Sequence, residues 1–264
     1  MLRSLAGGSL FGEVWGTVPS QVVALHGWAR THADFAPALG PTAAGGPLPV
    51  IAPDLPGFGV TPEPPEAWGT DRYADAVGAL FDAGDVDTPA VVVGHSFGGR
   101  VAVALAARRP DVVRALVLTG VPLLPSRLRQ RRPPRAFRAA KTLHRWGIVS
   151  DDRMERVRRR HGSPDYRSAS GVMRGVLVKV VSESYEHELA ALRCPVELIW
   201  GDDDSEASLA VAEAVAAIVP DASLTVSVGA GHLLPLTAPD ALRLGVERAL
   251  TRAAQTPRPL PERS

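Results

Sequence analysis

Cysteine and long apolar runs are scarce in this sequence, and each scarcity excludes a class of protein. The 264 residues contain one cysteine, Cys194, so no disulfide can form within the chain and a zinc site made mainly of cysteines is excluded. No apolar stretch approaches the roughly 18 residues that a membrane-spanning helix needs. Residues 1–10 contain one arginine and lack the apolar core of a secretory signal. The sequence therefore predicts a cytoplasmic protein with no membrane partner.

An excess of charge of one sign is also lacking over the whole chain. Lys and Arg number 29 against 28 Asp and Glu, so the net charge at pH 7 is +1 and gives no whole-protein case for nucleic acid as a partner. Hydrophobic residues make up 45% and charged residues 22%. These fractions are those of ordinary globular proteins and exclude a disordered chain.

Short apolar runs rich in β-branched residues recur along the chain, each closed by Gly, Pro or Asp. They lie at residues 21–25, 50–52, 90–93, 115–118, 196–200 and 223–228. Such runs are typical of strands buried on both faces of a parallel sheet. Helical patterns lie between several of them, at residues 72–81, 99–108, 209–218 and 239–252. The alternation predicts an α/β fold with a doubly wound, mostly parallel sheet.

The alternation is interrupted once, by a strongly basic segment of helical character. Residues 121–193 contain 17 Lys or Arg and 7 Asp or Glu, a net charge of +10, which leaves −9 on the rest of the chain. This asymmetry indicates an inserted unit. We therefore expect a core formed by residues 1–121 and 193–255, a helical insertion at 122–192, and a disordered tail at 256–264.

The segment around Ser96 reads as a strand, a tight turn and the start of a helix. Its centre, Gly94-His95-Ser96-Phe97-Gly98, matches the G-x-S-x-G pattern of a nucleophile elbow. The two glycines would let the strand and the helix approach closely, and the serine would stand at a helix N-terminus, where N–H groups face developing negative charge. The alternative is a glycine-rich turn with an incidental serine.

A nucleophilic serine needs a histidine as general base and a carboxylate that orients it. Three aspartates, Asp202, Asp203 and Asp204, follow one predicted strand, and His232 follows the next. Both positions are at carboxyl ends of strands, where open α/β sheets place their sites. The chain order Ser, Asp, His is the one expected for this elbow, and it leaves a choice among the three aspartates.

Five motifs together resemble the α/β-hydrolase superfamily. They are Leu25-His26-Gly27-Trp28, Pro53-Asp54-Leu55-Pro56-Gly57-Phe58-Gly59, Gly94-His95-Ser96-Phe97-Gly98-Gly99, Trp200-Gly201-Asp202-Asp203-Asp204 and Gly229-Ala230-Gly231-His232. The resemblance implies the α/β-hydrolase fold, with a helical cap inserted after the sixth strand at residues 122–192. Nothing in the resemblance implies a cofactor or a metal.

The resemblance also assigns roles to residues. It implies Ser96 as nucleophile, His232 as base and Asp204 as the acid, with Asp203 as the alternative acid. It implies the backbone N–H groups of Trp28 and Phe97 as the oxyanion donors, and a structural role for His26.

A serine at the elbow restricts the chemistry to acyl bonds. Haloalkane dehalogenases and epoxide hydrolases of the superfamily need a carboxylate there. Esters, thioesters, lactones and amides remain, with carbon–carbon cleavage of a diketone by the same triad as an alternative. A second alternative is a non-catalytic relative that keeps the triad as a ligand pocket.

The expected partner is a small acyl substrate, and the basic insertion raises the question of its charge. Arg153, Arg156 and Arg160 share one helical face if that stretch is helical. They form either a solvated cationic face or a rim that attracts an anionic substrate.

Overall fold

The computed structural model describes residues 1–124 and 164–255, with 142–144, 146, 149–150 and 153–154 between them. Within these ranges the strands form one eight-stranded sheet. They are β1 (Leu2–Leu5), β2 (Leu10–Trp15), β3 (Ser20–Leu25), β4 (Val50–Asp54), β5 (Val86–His95), β6 (Val113–Thr119), β7 (Val196–Gly201) and β8 (Ala222–Ser227).

Helices alternate with these strands after β3. In the described ranges they are α1 (Ala36–Leu39), α2 (Thr70–Asp82), α3 (Phe97–Arg108), α4 (Pro164–Ser168), α5 (Gly171–Val180), α6 (Glu186–Ala191), α7 (Leu209–Ile218), α8 (Leu234–Thr237) and α9 (Pro239–Gln255). Two 3-10 helices, Ala6–Gly8 and His32–Phe35, add single turns.

The strand order is β1-β2-β4-β3-β5-β6-β7-β8. The pairs β1/β2 and β2/β4 are antiparallel, and the remaining pairs are parallel. The predicted doubly wound, mostly parallel sheet is confirmed, and the six apolar runs correspond to β3 to β8. The β1–β2 hairpin was not predicted, because β1 is an edge strand with three exposed residues in four and therefore lacks a continuous apolar run.

Both faces of the central strands are buried, which explains their continuously apolar sequences. Along β3, Val23 and Leu25 join the core beneath α2 and α3, whereas Val22 and Ala24 join the core beneath α1 and α9. Successive side chains of a strand point to opposite faces, so a strand covered on both sides must be apolar at every position. This sheet places the carboxyl ends of β3, β5, β7 and β8 along one edge.

The segment between β6 and β7 includes α4, α5 and α6 and is attached to the core by polar contacts. The Glu183 carboxylate accepts hydrogen bonds from the Thr70 N–H at 3.1 Å, at the start of α2, and from the Tyr185 hydroxyl at 2.7 Å. The guanidinium of Arg100, on α3, donates to the Pro122 carbonyl at 2.8 Å. Arg100 also donates to the carbonyl of Val180, the last residue of α5. These contacts fix the end of α5 and the turn after it over the N-terminal ends of α2 and α3.

Several predictions concern residues at the margin of the described ranges. Arg153 is described and exposed, whereas Arg156, Arg160 and the tail 256–264 lie outside the described residues. The limits of the inserted cap, 122–192, stay a prediction. In the described part of the chain, no helix is both long enough and apolar enough to cross a membrane.

Candidate active site

Ser96 lies at the apex of a sharp turn between β5 and α3. Its backbone has φ 49° and ψ −112°, a strained conformation for a residue with a side chain. A Cβ on Gly94 would collide with the backbone of Gly99, and one on Gly98 would collide with the carbonyl of Leu25. Close approach of the backbone therefore requires glycine at both positions, as predicted from the sequence. The turn places Ser96 immediately before the first residue of α3.

His232 lies between Ser96 and Asp204. Its Nε2 is 3.2 Å from Ser96 Oγ, and its Nδ1 is 2.9 Å from Asp204 Oδ2 and 3.1 Å from Oδ1. The Asp204 side chain is 1% exposed and that of His232 is 13% exposed. Since the carboxylate accepts the proton on Nδ1, Nε2 is left with a free lone pair toward the serine hydroxyl.

The three neighbouring aspartates have different surroundings. The N–H groups of Glu206 and Ala207 each donate to Asp204 Oδ1 at 2.8 Å, which directs this side chain inward. Asp202 and Asp203 are exposed, and Asp202 accepts the Gly229 N–H at 2.7 Å, which stabilises the loop that carries His232. The structure thus brings Asp204, and not Asp203, to His232.

The charge state of His232 depends on opposing effects. Burial disfavours the imidazolium, but the hydrogen bond and the charge of Asp204 act against burial together with other nearby charges, and the net effect raises the pKa of His232 above its ordinary value. The charges of Glu206 and Asp165 add to the increase. A histidine with a raised pKa accepts a proton readily, which suits a general base.

The predicted oxyanion donors, Trp28 and Phe97, lie on adjacent turns. Among the described residues, no protein acceptor bonds the N–H of either residue. The Gly98 N–H donates to the His26 carbonyl at 3.0 Å and so joins the elbow to the turn after β3. The Trp28 and Phe97 rings contact each other edge to face, with centroids 5.5 Å apart. The turns are therefore joined both through the backbone and through these two side chains.

His26 fixes the peptide group that carries the Trp28 N–H. Its Nδ1 donates to the Gly27 carbonyl at 2.8 Å, and its Nε2 accepts the Leu55 N–H at 2.9 Å. Burial lowers the pKa of His26 to about 4, so the ring is neutral and both nitrogens are used. Because the Gly27 carbonyl and the Trp28 N–H belong to one planar peptide, holding the first orients the second.

Two residues that support the site were not predicted. Gly120 follows β6 with φ 60°, and a Cβ there would lie 3.1 Å from His232 Nδ1 and 3.2 Å from Asp204 Oδ2. His95 donates from Nε2 to the His232 carbonyl at 2.9 Å, and burial lowers its pKa to about 4. The sequence signals are a glycine at a strand end and a histidine before the nucleophile, and both occur in many proteins without this role.

The described ranges contain no group of three or more His, Cys, Asp or Glu side chains that could hold a metal ion.

Aromatic rings surround the two turns that carry the predicted oxyanion donors. Phe58 contacts Trp28 at 5.0 Å between centroids, and Tyr73 contacts Phe97 at 5.0 Å. The predicted oxyanion donors are therefore backed by a packed aromatic cluster in which Tyr73, Phe97 and Phe58 are buried.

Comparison with known proteins identifies the family. A profile described as "Alpha/beta hydrolase family" matches residues 22–243, and the chain belongs to this family. A pimeloyl-[acyl-carrier protein] methyl ester esterase of Chromobacterium violaceum is 30% identical over 235 residues, which cover 82% of this chain and 88% of that protein. The resemblance drawn from the five motifs is thus confirmed.

Two further comparisons are narrower in what they show. Lipase LipV of Mycobacterium tuberculosis is 54% identical over 71 residues, which are 27% of this chain and 26% of the lipase. The match therefore spans about a quarter of that relative. The structure of a thermophilic esterase from Thermogutta terrifontis superposes with a TM-score of 0.69 at 21% identity, covering 96% of this chain and 99% of that one, and shows the shared fold.

Proposed function

We propose that this protein is a serine hydrolase that cleaves a carboxylic ester or a related acyl bond through an acyl-enzyme on Ser96. One observation carries the proposal: His232 lies 3.2 Å from Ser96 Oγ through Nε2 and 2.9 Å from Asp204 Oδ2 through Nδ1. A base held between a carboxylate and a hydroxyl on a strained turn is the arrangement that activates a serine.

In the first half of the proposed reaction, Ser96 Oγ attacks the carbonyl carbon while His232 Nε2 takes the hydroxyl proton. The carbonyl oxygen becomes an oxyanion, and the N–H groups of Trp28 and Phe97 donate to it. The imidazolium, stabilised by Asp204, then protonates the departing alkoxide. The bond to the alcohol breaks, and the acyl group stays on Ser96.

The second half repeats these steps with water. His232 removes a proton from water, and the hydroxyl oxygen attacks the acyl carbon. The oxyanion forms again at the same two N–H groups. The imidazolium returns the proton to Ser96 Oγ, the acyl bond to serine breaks, and the carboxylic acid leaves. No group outside the chain, apart from substrate and water, is required.

The relatives support an ester as the substrate class. The protein of Chromobacterium violaceum is named a methyl ester esterase, and that of Mycobacterium tuberculosis a lipase. The aromatic side chains that pack behind the oxyanion turns bring no charge to this part of the site, which supports an uncharged acyl group. We therefore propose a small, uncharged ester, with an anionic ester as the alternative that the basic segment 121–193 suggests.

A panel of substrates tests this proposal. We expect turnover of p-nitrophenyl acetate and butyrate, because the triad and the oxyanion donors act on any accessible ester carbonyl. Hydrolysis of a diketone at its carbon–carbon bond, without turnover of any ester, would contradict the proposal. Binding of esters without turnover would instead favour the non-catalytic alternative.

The dependence of kcat/KM on salt concentration distinguishes an uncharged substrate from an anionic one. Pairs of neutral and carboxylate-bearing esters are compared at about 0.02 M and 0.3 M salt, where screening differs strongly. For an uncharged substrate class, the neutral ester has the higher kcat/KM at both concentrations. A higher kcat/KM for the carboxylate-bearing ester at low salt, lost at high salt, would establish the anionic alternative.

A further inference from the structure

A second carboxylate reaches the side of His232 that faces Ser96. Glu206 lies on the loop between β7 and α7, and its Oε2 is 3.5 Å from His232 Nε2, the nitrogen that faces Ser96 Oγ at 3.2 Å. Asp204 binds the opposite nitrogen, Nδ1. The Glu206 side chain is 63% exposed, so it approaches the imidazole from the solvent side.

The position of Glu206 follows from the turn that holds Asp204. Asp204 Oδ1 accepts the N–H groups of Glu206 and Ala207 at 2.8 Å each. Ala207 is 1% exposed, and its carbonyl accepts the Trp200 indole N–H at 2.7 Å. Hydrogen bonds thus hold the backbone at Glu206 and at Ala207. They fix the point from which the Glu206 side chain extends toward His232.

The titratable groups around His232 come from three elements, two of which supply charged side chains. Asp204 and Glu206 belong to the β7–α7 loop, and Asp165 belongs to α4. His95, at the end of β5, packs with its ring centroid 5.0 Å from that of His232, and it is neutral because burial lowers its pKa to about 4. Within the described ranges, Glu206 is the one charged side chain recorded at ion-pair distance from Nε2.

We propose that Glu206 acts through His232 as a second carboxylate partner, stabilises the imidazolium from the Nε2 side, and thereby raises the lower pH limit of activity. This inference rests on the proposed hydrolase function. The inference gives Glu206 no contact with the substrate. Glu206 is a positioning residue that acts on His232 through its charge.

The direction of the effect follows from the protonation states. Neutral His232 carries its proton on Nδ1, toward Asp204, so Nε2 offers Glu206 no hydrogen. Protonation of Nε2 creates both a positive charge and a donor facing Glu206. The carboxylate therefore favours the protonated form and raises the pKa of His232, in agreement with its contribution to the raised value. Attack by Ser96 needs the neutral form, so Glu206 moves the onset of activity to higher pH.

At higher pH, where His232 is neutral in the free enzyme, the negative charge of Glu206 has the opposite effect on activity and increases kcat/KM. In the transition state the imidazolium is only partly formed, so Glu206 stabilises it less than it stabilises the fully protonated free enzyme. Loss of Glu206 is therefore expected to increase kcat/KM on the acid side of the profile and to decrease it by a few-fold on the plateau. A purely structural defect would lower kcat/KM equally at every pH, so the shape of the profile distinguishes the two.

The test compares Glu206→Gln with Glu213→Gln, which removes the same charge from an exposed position on α7. The pKa of His232 is measured by NMR titration of the ring, and kcat/KM for p-nitrophenyl acetate is measured against pH. In Glu206→Gln we expect both the pKa and the acid limb to fall by about half a unit to one unit at low salt. The shift should shrink at about 1 M salt. Glu213→Gln should match the wild-type protein.

Each outcome decides the inference. An unchanged His232 pKa in Glu206→Gln, or an equal fall in Glu213→Gln, would overturn it. Glu206→Asp, which keeps the charge on a shorter side chain, should give an intermediate pKa, and its thermal stability checks that the loop is intact. If the NMR shift occurs but no ester is hydrolysed at any pH, the proposed function fails while the charge coupling between Glu206 and His232 stands.

Discussion

Ser96→Ala should abolish ester hydrolysis while the protein folds normally. We expect kcat/KM for p-nitrophenyl acetate to fall by about 10⁴-fold or more, because the oxyanion donors and substrate binding alone supply only a small part of the rate enhancement of a triad. Alanine removes one oxygen from an otherwise unchanged elbow, so circular dichroism and the melting temperature should stay close to those of the wild-type protein.

The matched control for this variant is Ser170→Ala. Ser170 is an exposed serine before α5, and its hydroxyl makes no capping hydrogen bond. Its replacement should leave turnover unchanged. Retention of more than a tenth of wild-type activity in Ser96→Ala would contradict the assignment of Ser96 as the nucleophile.

Asp204→Asn is expected to have the second largest effect. The side chain is buried and accepts the proton on His232 Nδ1 at 2.9 Å. An asparagine amide facing Nδ1 would favour the tautomer with the proton on Nε2, which cannot accept the serine proton, and it would no longer stabilise the imidazolium. We expect turnover to fall by about 10³-fold or more, with little change in KM.

Asp202→Asn and Asp203→Asn are the controls, since each makes the same substitution one or two residues away. Both side chains are exposed. We expect turnover of each to change by less than about tenfold, although Asp202→Asn weakens the contact with the Gly229 N–H. A severe loss in Asp203→Asn, with an active Asp204→Asn protein, would show that the acid is Asp203.

The central sheet could be predicted because its strands are covered on both faces. A strand such as β3 must be apolar at every position, and this signal is local in sequence. The β1–β2 hairpin forms the open edge of the sheet, where β1 is largely exposed. Its residues need not be apolar, so nothing in the local pattern distinguishes it from a loop.

The residues of the candidate site could be predicted to the extent that motifs mark them. The elbow glycines and the positions of Asp204 and His232 after strands are local features. Gly120 and Glu206 depend on where separate loops meet in space, since each matters only through its distance from His232. A sequence pattern does not record such distances, and neither residue has a distinctive neighbourhood in the chain.

The measurement that tests the central claim most directly is covalent labelling with a fluorophosphonate, followed by intact-mass analysis and peptide mapping. Such reagents react with a serine whose hydroxyl is activated by a general base. We expect one adduct per chain, located on Ser96 and absent from the Ser96→Ala protein. An adduct on a different residue, or a folded protein that acquires none, would contradict the account of Ser96, His232 and Asp204 as a working triad.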